Sequence, residues 1–457
     1  MRHAWRSATM LVLLGALAYA QHVPVPFVNQ PLVPASVRPG HKAFLLTVNG
    51  TGFSKTASVL WNGSPRVTEV LSSSSLQAEI SADDVKKAGT ASIAVVNPGR
   101  RVSQVIYFTV REPSKSVHMT QTAPINSAGT VIVADFNNDG IPDVAVGISQ
   151  NGGQSGAIEV YFGDGKGKFR KPVQTTISGV PYTMLAADFN GDGKTDLAVN
   201  VNPGEGSTLI LLGNGDGTFN QVSSEYSGAA VAAGDFNGDG FTDLIEESSF
   251  GEVTVLLSNG DGTFQYVYFN GEETGIPAVG DFNQDGILDL AFSYDTVDVY
   301  LGNGDGTFQS AGTYRVSQGG NLQAADVNGD GKLDLITSGV TVLLGHGDGT
   351  FQIGSSFYVG GYYGWTIADF NGDGKLDLII PVISYGGEAQ TLQVFLGDGK
   401  GNFGEPIVIN AGNQVGADPG LGIADFNGDG KLDAIISTST SNHGLWELTN
   451  PILLKQK

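Results

Sequence analysis

Carboxylate and amide side chains recur at every second position of a nine-residue pattern, Asp-x-Asn-x-Asp-Gly-x-x-Asp, which this chain of 457 residues contains seven times. The copies begin at Asp135, Asp188, Asp235, Asp281, Asp326, Asp369 and Asp425. Oxygen-bearing side chains at alternate positions, with a glycine that permits a sharp bend, are typical of loops that bind calcium. These residues therefore predict the binding of about seven Ca²⁺ ions, one in each loop.

Each loop is expected to bind its ion through the side chains of positions 1, 3, 5 and 9 and the backbone carbonyl of position 7. The predicted ligands are Asp135, Asn137, Asp139, Ile141 and Asp143; Asp188, Asn190, Asp192, Lys194 and Asp196; Asp235, Asn237, Asp239, Phe241 and Asp243; Asp281, Asn283, Asp285, Ile287 and Asp289; Asp326, Asn328, Asp330, Lys332 and Asp334; Asp369, Asn371, Asp373, Lys375 and Asp377; and Asp425, Asn427, Asp429, Lys431 and Asp433. The competing interpretation is an Asn/Asp/Gly turn that ends a strand, and seven complete copies argue against it. Mg²⁺ fits less well because it prefers rigid octahedral sites that keep several waters.

The elements that position these loops are predicted to be β-strands. The copies are spaced by 43 to 56 residues, a period typical of propellers and repeat arrays. In the second repeat, strands at 184–187, 197–199 and 209–212 precede a Gly-rich turn that leads into a fourth. Four strands in each unit is the content of a propeller blade. The Gly-rich turn closes on a phenylalanine that is expected to pack between neighbouring blades, at Phe169, Phe219, Phe264, Phe308, Phe351 and Phe403.

The seventh repeat has no Gly-rich turn, and a segment from the start of the repeat region is expected to replace its missing outer strand. Residues 117–121 lie as far before the first loop as each outer strand lies before the loop that follows it. We therefore expect 117–121 to pair with 445–448 and to complete the seventh blade. A blade split in this way closes the ring and hides open strand edges.

The seven loops and six turns resemble the FG-GAP/VCBS repeat family, known from the propeller of integrin α subunits. The resemblance extends over about three quarters of the chain, and it implies a seven-bladed β-propeller at 116–457 and the same calcium-ligand positions. Upstream, Leu46 to Phe53, Trp61-Asn62-Gly63 and Val95 to Gly99 resemble the IPT/TIG immunoglobulin-like family. The predicted fold is therefore all-β, a propeller preceded by a β-sandwich at 27–112 and a linker at 113–115.

The first 20 residues have the composition of a secretory signal peptide. Arg2 and Arg6 precede a short apolar stretch, and Ala18-Tyr19-Ala20 matches a cleavage site. A Pro-rich lead follows at 21–26. Cleavage near Ala20 predicts a secreted, periplasmic or cell-surface protein, without membrane insertion.

Composition narrows the functional classes. The formal net charge of −22 argues against nucleic acid as a partner. The seven loops alone contribute 21 of the 46 acidic residues (three Asp in each), so most of this charge is explained by the predicted metal sites. The absence of cysteine excludes disulfides, zinc thiolate sites and cysteine nucleophiles. Glu246-Glu247 and Glu272-Glu273 are interpreted as solvated loop charges.

Recognition is expected on the face opposite the calcium loops, where the connecting segments vary and aromatic residues are frequent. The predicted ligand-binding residues are Tyr362, Tyr363, Trp365 and Tyr385, with further aromatics at Tyr182, Phe250 and Tyr294. The leading functional hypothesis is a calcium-binding adhesion or recognition module for an extracellular carbohydrate or a surface protein, without catalytic residues. The alternatives are a polysaccharide lyase or other carbohydrate-active enzyme, and a structural component of a surface assembly. The sequence fixes neither the ligand nor the oligomeric state.

Overall fold

The computed structural model describes residues 23–114, 117, 119–122, 129–202, 206–269, 271, 275–316, 319–357, 359, 364–382, 390–412, 421–442 and 445–456. The predicted signal peptide lies outside these residues. Every regular element in the described ranges is a β-strand, which confirms the predicted all-β class. Within the same ranges there is no apolar helix of membrane-spanning length.

Two sheets packed around one core form the N-terminal part, which we call the sandwich. Its strands are β1 (Phe27–Val28), β2 (Ser36–Val37), β3 (Phe44–Thr51), β4 (Ser58–Trp61), β5 (Ser64–Pro65), β6 (Thr68–Ser72), β7 (Ser75–Ile80), β8 (Gly89–Asn97), β9 (Arg101–Val102) and β10 (Ile106–Val110). One sheet has the order β1-β3-β7-β6 and the other β2-β10-β8-β4-β5, with β9 paired to β8. Alternate residues of both sheets point inward, as in β3, where Leu46 and Val48 are fully buried. Trp61 and Phe108 meet in this core with ring centroids 5.3 Å apart.

Seven four-stranded sheets follow, which we number one to seven. The strands of sheets one to three are β12 (Thr130–Ala134), β13 (Asp143–Gln150), β14 (Ser155–Tyr161) and β15 (Val173–Ile177); β16 (Pro181–Ala187), β17 (Asp196–Val201), β18 (Ser207–Gly213) and β19 (Phe219–Tyr226); and β20 (Ala229–Gly234), β21 (Asp243–Glu247), β22 (Val253–Ser258) and β23 (Phe264–Tyr268). Those of sheets four to six are β24 (Ala278–Gly280), β25 (Asp289–Ser293), β26 (Thr296–Gly302) and β27 (Phe308–Arg315); β28 (Leu322–Ala325), β29 (Asp334–Thr337), β30 (Thr341–Gly345) and β31 (Phe351–Ser356); and β32 (Thr366–Ala368), β33 (Asp377–Val382), β34 (Gln390–Phe395) and β35 (Ile407–Gly412). Each is an antiparallel meander in chain order, the content expected of a propeller blade.

Sheet seven combines both ends of the repeat region. Its strands are β36 (Leu421–Ala424), β37 (Asp433–Asn442), β38 (Leu445–Gln456) and, from before sheet one, β11 (Met119–Thr122), in the order β11-β38-β37-β36. The predicted completion of this sheet by an early segment is confirmed, but the predicted partner was wrong. Residues 119–122 pair with Leu453–Gln456, not with 445–448. The reason is the length of the β37–β38 hairpin, in which Leu445 to Leu448 pair with the far end of β37.

Neighbouring sheets pack face to face through apolar side chains. The first strands contact one another in succession from sheet one to sheet six, and β36 contacts β12. Sheets six and seven share a cluster in which Ile379 and Leu392 pack with Ala434 and Ile436. A cavity of about 530 Å³ lies where the first strands converge. This arrangement is propeller-like, and its conversion of one repeated unit into a continuous core explains why the repeats keep the same apolar positions.

The phenylalanine that closes each Gly-rich turn packs against the neighbouring sheet, as predicted. Phe219 meets Phe136 of sheet one, and Phe264 meets Phe189 of sheet two, with ring centroids about 6 Å apart. Phe169 of sheet one and Phe426 of sheet seven are 5.6 Å apart in the same geometry. The edge-to-face angles of 65–82° are those that aromatic pairs favour. Each turn is thereby fastened to the metal loop of the sheet before it.

Candidate calcium loops

Each nine-residue loop connects the first two strands of its sheet, and its ninth residue begins the second strand. Asp143, Asp196, Asp243, Asp289, Asp334, Asp377 and Asp433 are these first residues. The Gly-rich turns lie at the same end, because the ninth residue accepts hydrogen bonds from them. We call this end the loop face and the other end the opposite face.

The Asp at position 1 organises the loop by accepting backbone N–H groups. In loop two, Gly193 N donates to Asp188 Oδ2 at 2.8 Å, and Asp192 N donates to Asp188 Oδ1 at 3.2 Å. The same two bonds occur in all seven loops, at 2.7–3.0 Å and 3.1–3.2 Å. The glycine at position 6 has φ between 80° and 90° in every copy, a conformation that residues with a side chain rarely adopt. The repeated glycine is therefore required by the backbone path.

Positions 3 and 5 accept the next N–H groups along the loop. Asn190 Oδ1 accepts Asp192 N at 2.9 Å, and Asp192 Oδ1 accepts Lys194 N at 2.9 Å. A carboxylate or amide oxygen has two lone pairs, so each oxygen that accepts one N–H keeps capacity for a metal ion. In loops two, five and six the lysine at position 7 also lies 3.3–4.0 Å from the carboxylate at position 5.

The Asp at position 9 joins the loop to the Gly-rich turn of its own sheet. Asp196 Oδ2 accepts Phe189 N at 2.9 Å, and Asp196 Oδ1 accepts Gly213 N at 2.7 Å. Sheets one to six all contain this pair of bonds. All seven position-9 side chains are fully buried. Sequence reasoning missed this structural role, although the glycine that ends the third strand in most repeats was its available signal.

Burial and mutual repulsion disfavour ionisation of these carboxyl groups. Burial raises the pKa of Asp196 to about 7, and the nearby charges of Asp188 and Asp192 add to the increase. The same causes raise the pKa of Asp243 and Asp377 to about 8. Each loop therefore gathers three carboxylates into a partly desolvated volume where their charges oppose one another.

The donor set of the loops fits calcium in its chemistry: three carboxylates, one amide oxygen and a backbone carbonyl, all hard oxygen ligands. Among the residues that the structure describes, no group of three or more His, Cys, Asp or Glu side chains is close enough to hold a metal ion as it stands. In this conformation the carboxylate oxygens are directed at backbone N–H groups. Calcium binding would therefore adjust side chains on a backbone path that already exists in every loop.

The predicted ligand-binding aromatics are not gathered at one site. Tyr362, Tyr363 and Tyr385 lie outside the described residues. Trp365 is only 6% exposed and packs in a core cluster with Ile367 and Phe395, so its ring offers no open face for stacking, contrary to the prediction. The sequence pattern that misled us was an aromatic beside glycines, which here leads into β32.

Two other aromatics are exposed on the opposite face. Phe250 lies between β21 and β22 with 91% of its surface exposed, and Tyr294 lies between β25 and β26 with 74% exposed. Both belong to second-to-third connections, in the neighbouring sheets three and four. Large exposed rings next to each other in a repeat are candidates for ligand contact.

Glu246 was wrongly interpreted as a solvated loop charge. It lies in β21 with 3% of its surface exposed, and its Oε1 accepts Gly228 N at 2.7 Å. Burial raises its pKa to about 7. Glu247 is half-buried and accepts Gly275 N at 2.9 Å, while Glu272 and Glu273 lie outside the described residues.

Comparison with known families identifies the repeat. The model of the FG-GAP-like repeat matches residues 135–199, 188–246 and 281–337, and each match starts at or within one of the loops. The chain therefore carries FG-GAP-like repeats. Phosphatidylinositol-glycan-specific phospholipase D from Bos taurus is 42% identical over 79 residues, and the human protein is 42% identical over 77. These matches include 15% of this chain and only 9% of the length of either relative.

Solved structures with a similar course of the chain have low sequence identity. BBS1N in complex with ARL6DN has a TM-score of 0.46 at 11% identity, over 74% of this chain and 96% of that one. The periplasmic gluconolactonase PpgL of Pseudomonas aeruginosa has a TM-score of 0.45 at 16% identity, over 71% of this chain and 93% of that one. Nothing about the function of this chain follows from them.

Proposed function

We propose that this chain is an extracellular calcium-binding β-propeller module that recognises a carbohydrate or a protein without chemically changing it. The observation that carries the proposal is the uniformity of the seven loops. All seven keep the same backbone hydrogen bonds and the same left-handed glycine, and each brings together three carboxylates that repel one another. A divalent cation relieves that repulsion, and binding to the folded state alone stabilises it.

Calcium binding is tested by titration calorimetry on metal-free protein, with thermal unfolding measured in calcium and in EGTA. We expect several binding events in each chain and a melting temperature that falls by many degrees when calcium is removed. Melting curves that coincide in calcium and in excess EGTA, together with no heat of binding, would contradict the proposal.

The recognition role is supported by the exposed rings of Phe250 and Tyr294 on the opposite face. It is tested by affinity electrophoresis through a panel of polysaccharides, followed by pull-downs of extracellular surface proteins. Replacing both Phe250 and Tyr294 by alanine is expected to abolish retention while calcium binding stays unchanged. Tyr268→Ala is the matched control, because Tyr268 is 84% exposed but lies on the outer strand β23. Full retention by the double variant would refute this placement of the ligand.

A further inference from the structure

The sandwich lies against the loop face and contacts several metal loops directly. At loop three, Val25 N donates to Asp235 Oδ2 at 2.8 Å, an oxygen of the predicted position-1 ligand. The guanidinium of Arg101 lies 4.1 Å from the ring centroid of Phe241, at position 7 of the same loop. At loop five, Asp326 N donates to Gln30 O at 2.9 Å.

Loop six has the densest set of these contacts. Arg111 Nη1 donates to Phe370 O at 2.9 Å, Ser114 N donates to Asn371 O at 2.7 Å, and Ser36 Oγ donates to Gly372 O at 3.2 Å. The three acceptors are consecutive carbonyls at positions 2, 3 and 4 of the loop. The sandwich therefore contacts the backbone of the segment that carries the first ligands.

The fit is close enough to depend on the glycines of the loops. A Cβ atom on Gly240 would lie 2.3 Å from Val23 O, and one on Gly430 would lie 2.6 Å from Val110 O. Both glycines occupy position 6, the bend that each loop needs. The sandwich thus approaches the surface that the bend forms in loops three and seven.

Charge also links the two parts. Arg111 is 4% exposed, and burial lowers its pKa, while Asp369 and Asp429 of loops six and seven oppose that effect. A buried arginine needs such carboxylates nearby, because an unpaired buried cation is costly. The predicted ligands of two loops therefore stabilise the sandwich residue that anchors it there.

We propose that calcium occupancy of the loops and docking of the sandwich on the loop face are thermodynamically linked, each strengthening the other. The backbone atoms that the sandwich contacts are those whose positions the ligand residues fix, so an ion that holds the loop rigid also holds the docking surface. Loops freed of metal lose this order, and the sandwich separates from them. The inference rests on the proposed calcium binding, and linkage requires the effect to be reciprocal.

The chain contains no cysteine, so two introduced thiols can be labelled specifically. A donor dye at Lys42→Cys in the sandwich and an acceptor at Tyr268→Cys in sheet three are both at exposed sites. Energy transfer is measured through a calcium titration, with calorimetry on the same samples. We expect transfer to fall when EGTA removes calcium and to return on reloading.

Arg101→Ala tests the coupling from the other side. It removes the contact with Phe241 and is expected to weaken calcium binding at the coupled loops by about 5-fold or more. Arg38→Ala is the matched control, since Arg38 pairs only with Glu112 at an exposed position away from the loops. Arg101 is half-exposed, so its replacement leaves the cores intact, which the unfolding transition of the variant verifies.

The outcomes separate the two proposals. Calcium binding by calorimetry with unchanged energy transfer would overturn the linkage and leave the calcium sites standing. Unaltered calcium affinity in Arg101→Ala would overturn it as well. The absence of any calcium binding would overturn both.

Discussion

Replacing Asp196 by asparagine separates the two roles that we assign to position 9. In the structure its carboxylate accepts Phe189 N and Gly213 N, and in the proposed function it is also a calcium ligand of loop two. Asparagine is nearly the same size, but it has one acceptor oxygen in place of two. The change therefore removes a charge and one hydrogen bond without creating a cavity.

Without metal, the two consequences oppose each other. An amide group facing a buried N–H leaves that donor unpaired, which costs about 1–3 kcal/mol. Removal of the charge has the opposite effect, because burial raises the pKa of Asp196 to about 7 from 3.8, and ionising it at pH 8 costs the folded state up to roughly 4 kcal/mol. We expect the variant to lie within about 2 kcal/mol of the parent in EGTA.

With calcium, the parent gains stability that the variant lacks. One site at a free calcium concentration of 100 times its dissociation constant contributes about 2.7 kcal/mol. The stability difference between calcium and EGTA is therefore expected to shrink by about that amount in Asp196→Asn. Denaturant unfolding at pH 8 measures it in four samples, parent and variant with and without calcium.

The control is Asp216→Asn in the Gly-rich turn of the same sheet. Asp216 is exposed and accepts only Thr218 N and Thr218 Oγ1, so its replacement is expected to leave the calcium-dependent difference as in the parent. If Asp196→Asn kept the full calcium-dependent difference, position 9 would be a purely structural residue and the ligand assignment of loop two would be refuted.

Two further substitutions test the electrostatics and the packing. Burial raises the pKa of Glu246 to about 7 from 4.5, so the stability it contributes is present below about pH 4.5 and lost as the pH rises to about 7. Glu246→Gln should therefore be more stable than the parent above pH 7 by roughly 1–3 kcal/mol and equal to it near pH 4 in denaturant unfolding, whereas Glu252→Gln, on the exposed surface, should match the parent throughout. Phe264→Ala removes a ring packed against Phe189 and Tyr226 and should lower the free energy of unfolding by about 3–5 kcal/mol, and a loss below 1 kcal/mol would contradict its inter-sheet role.

The repeated features of the molecule were predictable because their causes are local. A loop whose oxygens serve the N–H groups two to five residues onward is specified by its own nine residues. The phenylalanine that closes each turn was placed correctly between sheets, since a period of one repeat implies the same neighbour at every step. The early strand that completes sheet seven followed from counting strands, and only its register within β38 was wrong.

The features that sequence reasoning missed depend on contacts between distant parts of the chain. Arg111 reaches Phe370 across 259 positions, and nothing in the spacing of either residue indicates that meeting. Trp365 and Glu246 were assigned to the surface from their neighbours in sequence, although neighbouring sheets and strands cover both. Residue type predicts burial poorly where packing between repeats decides it.

The backbone of each loop is held by its own hydrogen bonds, and this determines what calcium can do. Asp188 alone accepts the N–H groups of Gly191, Asp192 and Gly193, so the loop path does not depend on an ion. Small domains whose ligands have no such support are unfolded without their metal. Here removal of calcium should lower stability in increments, one loop at a time, and leave the strands paired. If the sandwich is coupled to the loops as we propose, it is the first part to respond, because its contacts are made to the loop atoms themselves and not to the strands beneath them.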